Sequence, residues 1–273
     1  SGTVTYVEGA NPILLGPNLV VTDPDSDKFA SATVTFTGWQ AEDRVSFNNV
    51  FALQHSFTQD LVAHTATLTI SGLDTVDHYQ TLLRLVTYSN VSNAPIVAVT
   101  RVATFRVNDG LANSNTVTST VNVTAVNDAP VLANTSVLGY TENGAAAAIN
   151  ASLTVSDADN ATLTSAAVSI TGNFASGQDV LSFVNDLSSM GNIAGSYNSG
   201  TGVLTLTSAG ATATLAQWQA ADPAVSYSNS SNNPSTAPGT IIWEVNDSGA
   251  NINTVTSTVN VTACITSPGP LNK

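Results

Sequence analysis

Acidic side chains are scarce in this 273-residue chain, and their spacing is that of oxygen ligands for a hard cation. Glu8 and Glu142, the pairs Asp23/Asp25 and Asp157/Asp159, Asp43 and Asp179, and Asp109 and Asp247 occupy matched places in two halves of the sequence. Asp27 extends the first pair to D-P-D-S-D, and Asn127-Asp128 stands in the segment A-V-N-D-A-P at 125–130. A spacing of two puts carboxylates on one side of an extended segment or around a tight turn. Ca²⁺ takes six to eight oxygens from carboxylates, amide groups and backbone carbonyls. A first-strand Glu, a D-x-D and a linker Asn-Asp supply that chemistry, and carboxylates that converge repel until a divalent ion neutralises them. The blander reading of any single Asp in a turn is a hydrogen bond to its own backbone. Asp109 and Asp247, in V-N-D-G and V-N-D-S, read as hairpin-turn residues.

The elements that must position these groups are repeated. N-T-V-T-S-T-V-N-V-T-A occurs at 115–125 and again at 253–263. Outward from it, Y-Q-T-L-L-R-L-V-T-Y-S-N (79–90) answers W-Q-A-A-D-P-A-V-S-Y-S-N (218–229), S-A-T-V-T-F-T-G (31–38) answers S-A-A-V-S-I-T-G (165–172), and Y-V-E-G (6–9) answers Y-T-E-N (140–143). Self-similarity on this scale means two tandem modules, 1–127 and 128–264, with a tail over 265–273. Each reads as all-β. Val117, Val121 and Val123 alternate with Thr118, Thr120, Asn122 and Thr124, the period of a half-buried strand. Val34 and Phe36 point inward from a second one. Turn signals at Asp23-Pro24, Ser71-Gly72, Asn108-Asp109-Gly110 and Asn198-Ser199-Gly200 punctuate seven or eight short strands per module, the pattern of a β-sandwich. A helical turn is expected near 77–84 and near 214–221.

Composition narrows the function classes. Six basic against nineteen acidic residues give a net charge of −13, and only 9% of the chain is charged, where about 25% is usual. Six scattered cations build no phosphate-binding face, which disfavours nucleic acid and anionic membranes. No apolar run reaches the length of a membrane-spanning helix. No basic-plus-apolar leader opens the sequence, so Ser1 is read as a mature end or a fragment. With 42% hydrophobic residues the chain is not a disordered acidic tail. His55, His64 and His78 fall in the first module without counterparts, and no H-E-x-x-H, G-x-S-x-G, P-loop or dinucleotide fingerprint occurs; no enzyme is expected. Tyr79 and Trp218, and Tyr88 and Tyr227, read as core. The Asn-x-Ser/Thr sequons are uninformative in a chain this rich in those residues. Cys264 is the single cysteine, a small apolar strand end or an intermolecular bond.

The first-strand Glu, the D-x-D and V-N-D-A-P between modules resemble the bacterial cadherin-like tandem repeats of large surface adhesins, RTX-adhesin and VCBS-like, across 1–264. The opening V-E-G-A-N-P-I-L-L-G-P-N-L-V-V-T-D-P-D-S-D is similar to the related chondroitin-sulfate-proteoglycan-type repeats. The resemblance implies two Ig/cadherin-like Greek-key β-sandwich modules, with Ca²⁺ at their junction stiffening the pair. Its ligands would be Glu8, Asn127, Asp128, Asp157 and Asp159, with Asp23, Asp25, Asp27, Asp109 and Glu142 as weaker candidates. The cadherin linker is richer, D-x-N-D-N-x-P; here Ala125 and Ala129 replace two ligands. The resulting expectation is a non-enzymatic, extracellular or cell-surface structural and adhesive module pair of bacterial type. Its partners would be copies of the same or neighbouring repeats, or a cell-surface or glycan ligand. An alternative is the subunit of a filament or sheath joined by β-strand pairing, since few charges guard the strand edges, with Cys264 locking the joint. A carbohydrate-binding module using Trp39 or Trp243 is a third reading.

Overall fold

A computed structural model describes residues 2–249 and 253–264; the tail expected over 265–273 lies outside the described residues. The chain divides into two compact units, one through Val126 and one from Asn127, a boundary one residue before the one read from the repeat. Both are all-β, as the alternation demands.

The first unit has nine strands among the described residues: β1 (Gly2–Val7), β2 (Ile13–Leu14), β3 (Lys28–Thr37), β4 (Asp43–Ser46), β5 (Gln54–Asp60), β6 (Thr65–Thr75), β7 (Thr87–Asn90), β8 (Arg101–Asn108) and β9 (Val117–Thr124). One sheet runs β1-β9-β8-β3-β6-β5 and the other β2-β7-β4. β1 lies parallel to β9, Tyr6 opposite Val123, while the neighbours of β3 are antiparallel. Period-two burial is plain in β3, where Ala32, Val34 and Phe36 are buried between half-buried threonines. Those side chains meet Ile70, Leu82, Tyr79 and Trp39 in one core. The helix α1 (Val76–Arg84) closes it, capped by Thr75, whose hydroxyl accepts the His78 N–H.

The second unit repeats the plan with β10 (Val131–Ala133), β11 (Ser136–Thr141), β12 (Ala147–Ala148), β13 (Thr154–Ser156), β14 (Ser165–Gly172), β15 (Asp179–Ser182), β16 (Ile193–Asn198), β17 (Val203–Ser208), β18 (Ser226–Asn229), β19 (Gly239–Asn246) and β20 (Asn253–Thr262). Its sheets run β11-β20-β19-β14-β17-β16 and β12-β18-β15, and β10 pairs with β13. The helix α2 (Leu215–Ala221) begins on a Thr214/Gln217 capping box. Nine and eleven strands exceed the seven or eight expected, because two- and three-residue strands leave no alternation to read.

Ser71-Gly72 corrects the sequence reading. It is no turn; it lies inside β6, where the β3–β6 register slips between Phe29 and Ser31 and Gly72 takes φ +131°. A glycine inside a strand often marks such an irregularity. Gly38, which ends β3, has φ +73°, and a Cβ there would collide with the Thr100 carbonyl oxygen. Gly38→Ala is therefore expected to cost the first unit about 1–3 kcal/mol, seen as a lower unfolding midpoint in thermal denaturation.

Candidate functional site

The matched carboxylates separate into three kinds. The first is structural. Asp43 is buried at the start of β4, and its oxygens accept from the Tyr88 hydroxyl at 2.5 Å, Asn90 Nδ2 at 2.9 Å and the Gln40 N–H at 2.8 Å. Asp179 at the start of β15 does the same with Tyr227, Asn229 and the Ala175 N–H, at 2.5, 2.6 and 2.7 Å. Tyr-x-Asn on the neighbouring strand thus feeds one buried carboxylate in each unit. Burial first, and the carboxylate second, raise the pKa of both tyrosines, so their hydroxyls remain donors. Both aspartates are thus buried acceptors that fasten neighbouring strands of one sheet. Only Asp43 has a cation: the fully buried Arg101 donates to it from Nε at 3.0 Å and Nη2 at 3.2 Å.

The second kind caps strand ends. Glu8 and Glu142 stand one residue beyond β1 and β11, not within them. Glu8 accepts the Val126 N–H at 2.9 Å, and Glu142 accepts the Cys264 N–H at 2.7 Å. Each glutamate ties the chain leaving the last strand of its unit to the end of the first. The Cys264 thiol is exposed and unbridged, 3.6 Å from the Glu142 carbonyl oxygen. Asp23 and Asp109 close Asx turns: Asp23 accepts from the Asp25 and Ser26 N–H groups, and Asp109 from those of Leu111 and Ala112. Those backbone bonds lower both pKa values, while the Asp23 carboxylate raises that of Asp25. Asp27 gives its carbonyl to the Val76 N–H at the start of α1.

The third kind converges, all within the second unit. Asp157 forms the turn after β13, accepting from the Asp159 and Asn160 N–H groups at 3.1 and 2.8 Å. Asn127 Nδ2 donates to Asp247 Oδ2 at 2.6 Å, and Asn160 Nδ2 reaches Asn127 Oδ1 at 2.8 Å and Asp247 Oδ2 at 3.1 Å. The Asp128 N–H points to Asp159 Oδ2 at 3.4 Å. Asp128 Oδ2 and Asp157 Oδ2 are buried and have no hydrogen-bond partner. Burial raises the Asp157 pKa, and the Asp159 carboxylate pushes the same way, against the two backbone donors. Among the described residues no group of three or more His, Cys, Asp or Glu side chains is placed to hold a metal ion; what links this cluster is hydrogen bonds among carboxylates, amides and backbone.

Four of the five leading candidates, Asn127, Asp128, Asp157 and Asp159, therefore lie together, and Glu8 belongs to the first unit. Asp247 and Asn160 are the residues the sequence reading missed. Asp247 does make a turn, accepting the Gly249 N–H at 2.5 Å, but it is also buried at the centre of the cluster. A Cβ at position 249 would strike the Asn127 amide, so the glycine lets the linker residue approach. The one signal for this was Ser248-Gly249 after the aspartate, a close-approach pattern.

No protein-family model matches the chain, and no curated protein matches it. Solved structures do. Mouse cadherin-23 EC22-24 aligns with 95% of this chain at 15% identity and a TM-score of 0.32, and this chain spans 63% of that one. Human CDH23 EC21-23 aligns with 95% at 16% identity and 0.34, covering 72% of that chain. The C-terminal domain of the Streptococcus agalactiae AgI/II polypeptide BspA aligns with 85% at 9% identity and 0.25, covering 84%. The all-β sandwich assignment rests on the strand order and register above.

Trp39 and Trp243, the residues of the carbohydrate reading, lie in the two cores. Trp39, Trp218 and Trp243 are all buried to 1% exposure or less. Trp243 Nε1 donates to the Ser257 hydroxyl and Trp218 Nε1 to the Leu163 carbonyl. Tyr6 packs edge-on against Tyr88, and Tyr140 against Tyr227, at 5.6 and 5.2 Å between ring centres. Of the histidines, His78 stacks on Phe51 at 3.7 Å and pairs with Asp74, which lowers the Asp74 pKa. His64 bonds the Trp39 carbonyl, and His55 lies on the exposed strand β5.

Proposed function

We propose that the chain is a non-enzymatic, extracellular structural and adhesive module pair of bacterial surface-repeat type, with Ca²⁺ held beside the linker by Asn127, Asp128, Asp157, Asp159 and Asp247. The observation that carries the metal is the pair of buried, unpartnered carboxylate oxygens on Asp128 and Asp157, in a cluster whose other oxygens come from Asp159, Asp247 and Asn127. Leaving such atoms unpaired is costly, and a hard cation satisfies both. All donors are oxygens, the set Ca²⁺ takes. Bound there, the ion fastens the linker residues Asn127-Asp128 to the turn after β13.

Titration calorimetry with Ca²⁺ against an EGTA-treated sample tests this. Ca²⁺ is expected to bind and to stabilise the second unit by about 2.7 kcal/mol when free Ca²⁺ is 100 times Kd, seen as a higher unfolding midpoint. Asp128→Ala and Asp157→Asn should each weaken binding at least tenfold. No heat of binding and no effect of Asp128→Ala on stability would remove the metal from the proposal.

A second reading, a filament subunit joined by strand pairing, draws on β5. This edge strand of the first unit is exposed at all seven positions and carries one carboxylate, Asp60, a thin guard against edge-to-edge pairing. Electron microscopy of concentrated protein separates the two: filaments support it, single particles at every concentration exclude it.

A further inference from the structure

We propose that the second unit binds one monovalent cation, of the ammonium and potassium class, between its two sheets and against the Asp179 carboxylate. The first unit shows the same chemistry with a tethered cation. There Arg101, the first residue of β8, donates to both Asp43 oxygens, from Nε at 3.0 Å and Nη2 at 3.2 Å. Its Nη1 donates to the Ile96 and Val99 carbonyls.

The second unit repeats this frame with glycine in the arginine's place. Gly239 begins β19 as Arg101 begins β8, and it stands opposite Val259 as Arg101 stands opposite Val121. Asp179 is opposite Asn229 as Asp43 is opposite Asn90. Beside Gly239 and Asp179 lies a cavity of about 20 Å³. Tyr227, Asn229 and Val259 continue its walls, so both sheets contribute to it. Those three answer Tyr88, Asn90 and Val121, the surroundings of Arg101 in the first unit. The cavity reaches Ser235 and Ala237, both exposed, which gives an ion a way in from solvent.

Charge decides what the cavity takes. Asp179 is 5% exposed, and its donors, the Tyr227 hydroxyl, the Asn229 amide and the Ala175 N–H, are neutral. The second unit has no Lys, Arg or His among its described residues, so no side chain of that unit can balance the carboxylate. A buried charge is costly unless it is paired, and the counter-charge must then come from solution. A cavity of this volume accommodates one particle the size of a water molecule, which ammonium and potassium ions are. One carboxylate balances one positive charge, which selects a monovalent ion over a divalent one. None of these residues belongs to the cluster beside the linker or to the β5 edge, so the inference stands apart from both readings above.

The test uses the full chain in EGTA at fixed ionic strength, with tetramethylammonium chloride, whose cation is too large for the cavity, replaced stepwise by ammonium or potassium chloride. Saturable amide chemical shifts are expected at Asp179, Tyr227 and Gly239. The urea midpoint of the second unit, read from its own amide signals, should rise with either ion by mass action, while that of the first unit, where Arg101 fills the place, stays constant. Gly239→Arg supplies the tethered cation; a Cβ there meets nothing closer than the Gly172 carbonyl oxygen at 3.5 Å, an ordinary contact. It should raise the midpoint in tetramethylammonium and weaken ion binding at least tenfold. Asp179→Asn should weaken binding as much, and Gly239→Arg carries the test if that variant does not fold. No saturable shifts, an equal response of both units, or an ion response that survives in Gly239→Arg would overturn the proposal and leave the cavity to water.

Discussion

Asp43→Ala is expected to lower the stability of the first unit by about 3–5 kcal/mol, the cost of stranding a buried charge by removing its partner. Arg101 is fully buried and bonds both Asp43 oxygens, so the variant leaves a guanidinium with only the Ile96 and Val99 carbonyls and Glu42 Oε1, which is 3.6 Å away. It also strips the Tyr88 hydroxyl, the Asn90 amide and the Gln40 N–H of their acceptor. Asp179→Ala is the control built into the repeat. Its partners Tyr227, Asn229 and the Ala175 N–H are all neutral, because Gly239 stands where the first unit has Arg101. The expected loss there is about 1–3 kcal/mol, that of unsatisfied neutral donors. Urea denaturation read by tryptophan fluorescence resolves the two, with Trp39 reporting the first unit and Trp218 and Trp243 the second. Arg101→Met in the Asp43→Ala background should recover part of the loss. Equal losses for Asp43→Ala and Asp179→Ala would show that the arginine contributes nothing of its own.

The second large effect concerns Asp222, at the C-terminal end of α2. It is 2% exposed, and neither carboxyl oxygen has a partner. Burial alone raises its pKa from 3.8 to about 7. The first unit has Leu83 at the matching position, also buried. The folded-state value lies above the unfolded one, so the fold favours the neutral acid. This residue therefore costs nothing below about pH 4, takes stability away as the pH rises from about 4 to 7, and costs a constant amount above that. At 1.36 kcal/mol per unit the full span is about 4 kcal/mol. Asp222→Leu should stabilise the second unit at pH 8 by a few kcal/mol and much less at pH 4.5. Asp222→Asn should remove the pH dependence while keeping an unpaired polar group. Melting curves at the two pH values check both. A wild-type midpoint for the second unit as high at pH 8 as at pH 4.5 would refute the assignment.

The strands were legible because their signal is local. Alternation in Val117–Thr124 or Thr33–Thr37 follows from backbone geometry, which sends successive side chains to opposite faces. The helical turns expected near 77–84 and 214–221 are α1 and α2, and the structure shows each begins behind a capping threonine, Thr75 or Thr214. The candidate site was legible only in part. Asp157, Asp159, Asn127 and Asp128 stood out because charge is rare in this chain. Asp247, 120 residues from Asn127, and Asn160 did not, since nothing in V-N-D-S or D-A-D-N says which amide will arrive.

The sequence alone determined that the chain is two copies of one β-rich plan and where its few carboxylates lie. The tertiary structure decided what each carboxylate does. Asp43 and Asp179, alike in sequence to Asp157, became buried acceptors because Tyr88 and Tyr227 fold over them from a strand more than forty residues away. Glu8 and Glu142 became caps because β1 and β11 lie parallel to the last strand of their unit. The scarce acids are thus divided among fastening neighbouring strands, tying strand ends and gathering beside the linker. Contacts that distant are set by packing, which no local pattern encodes.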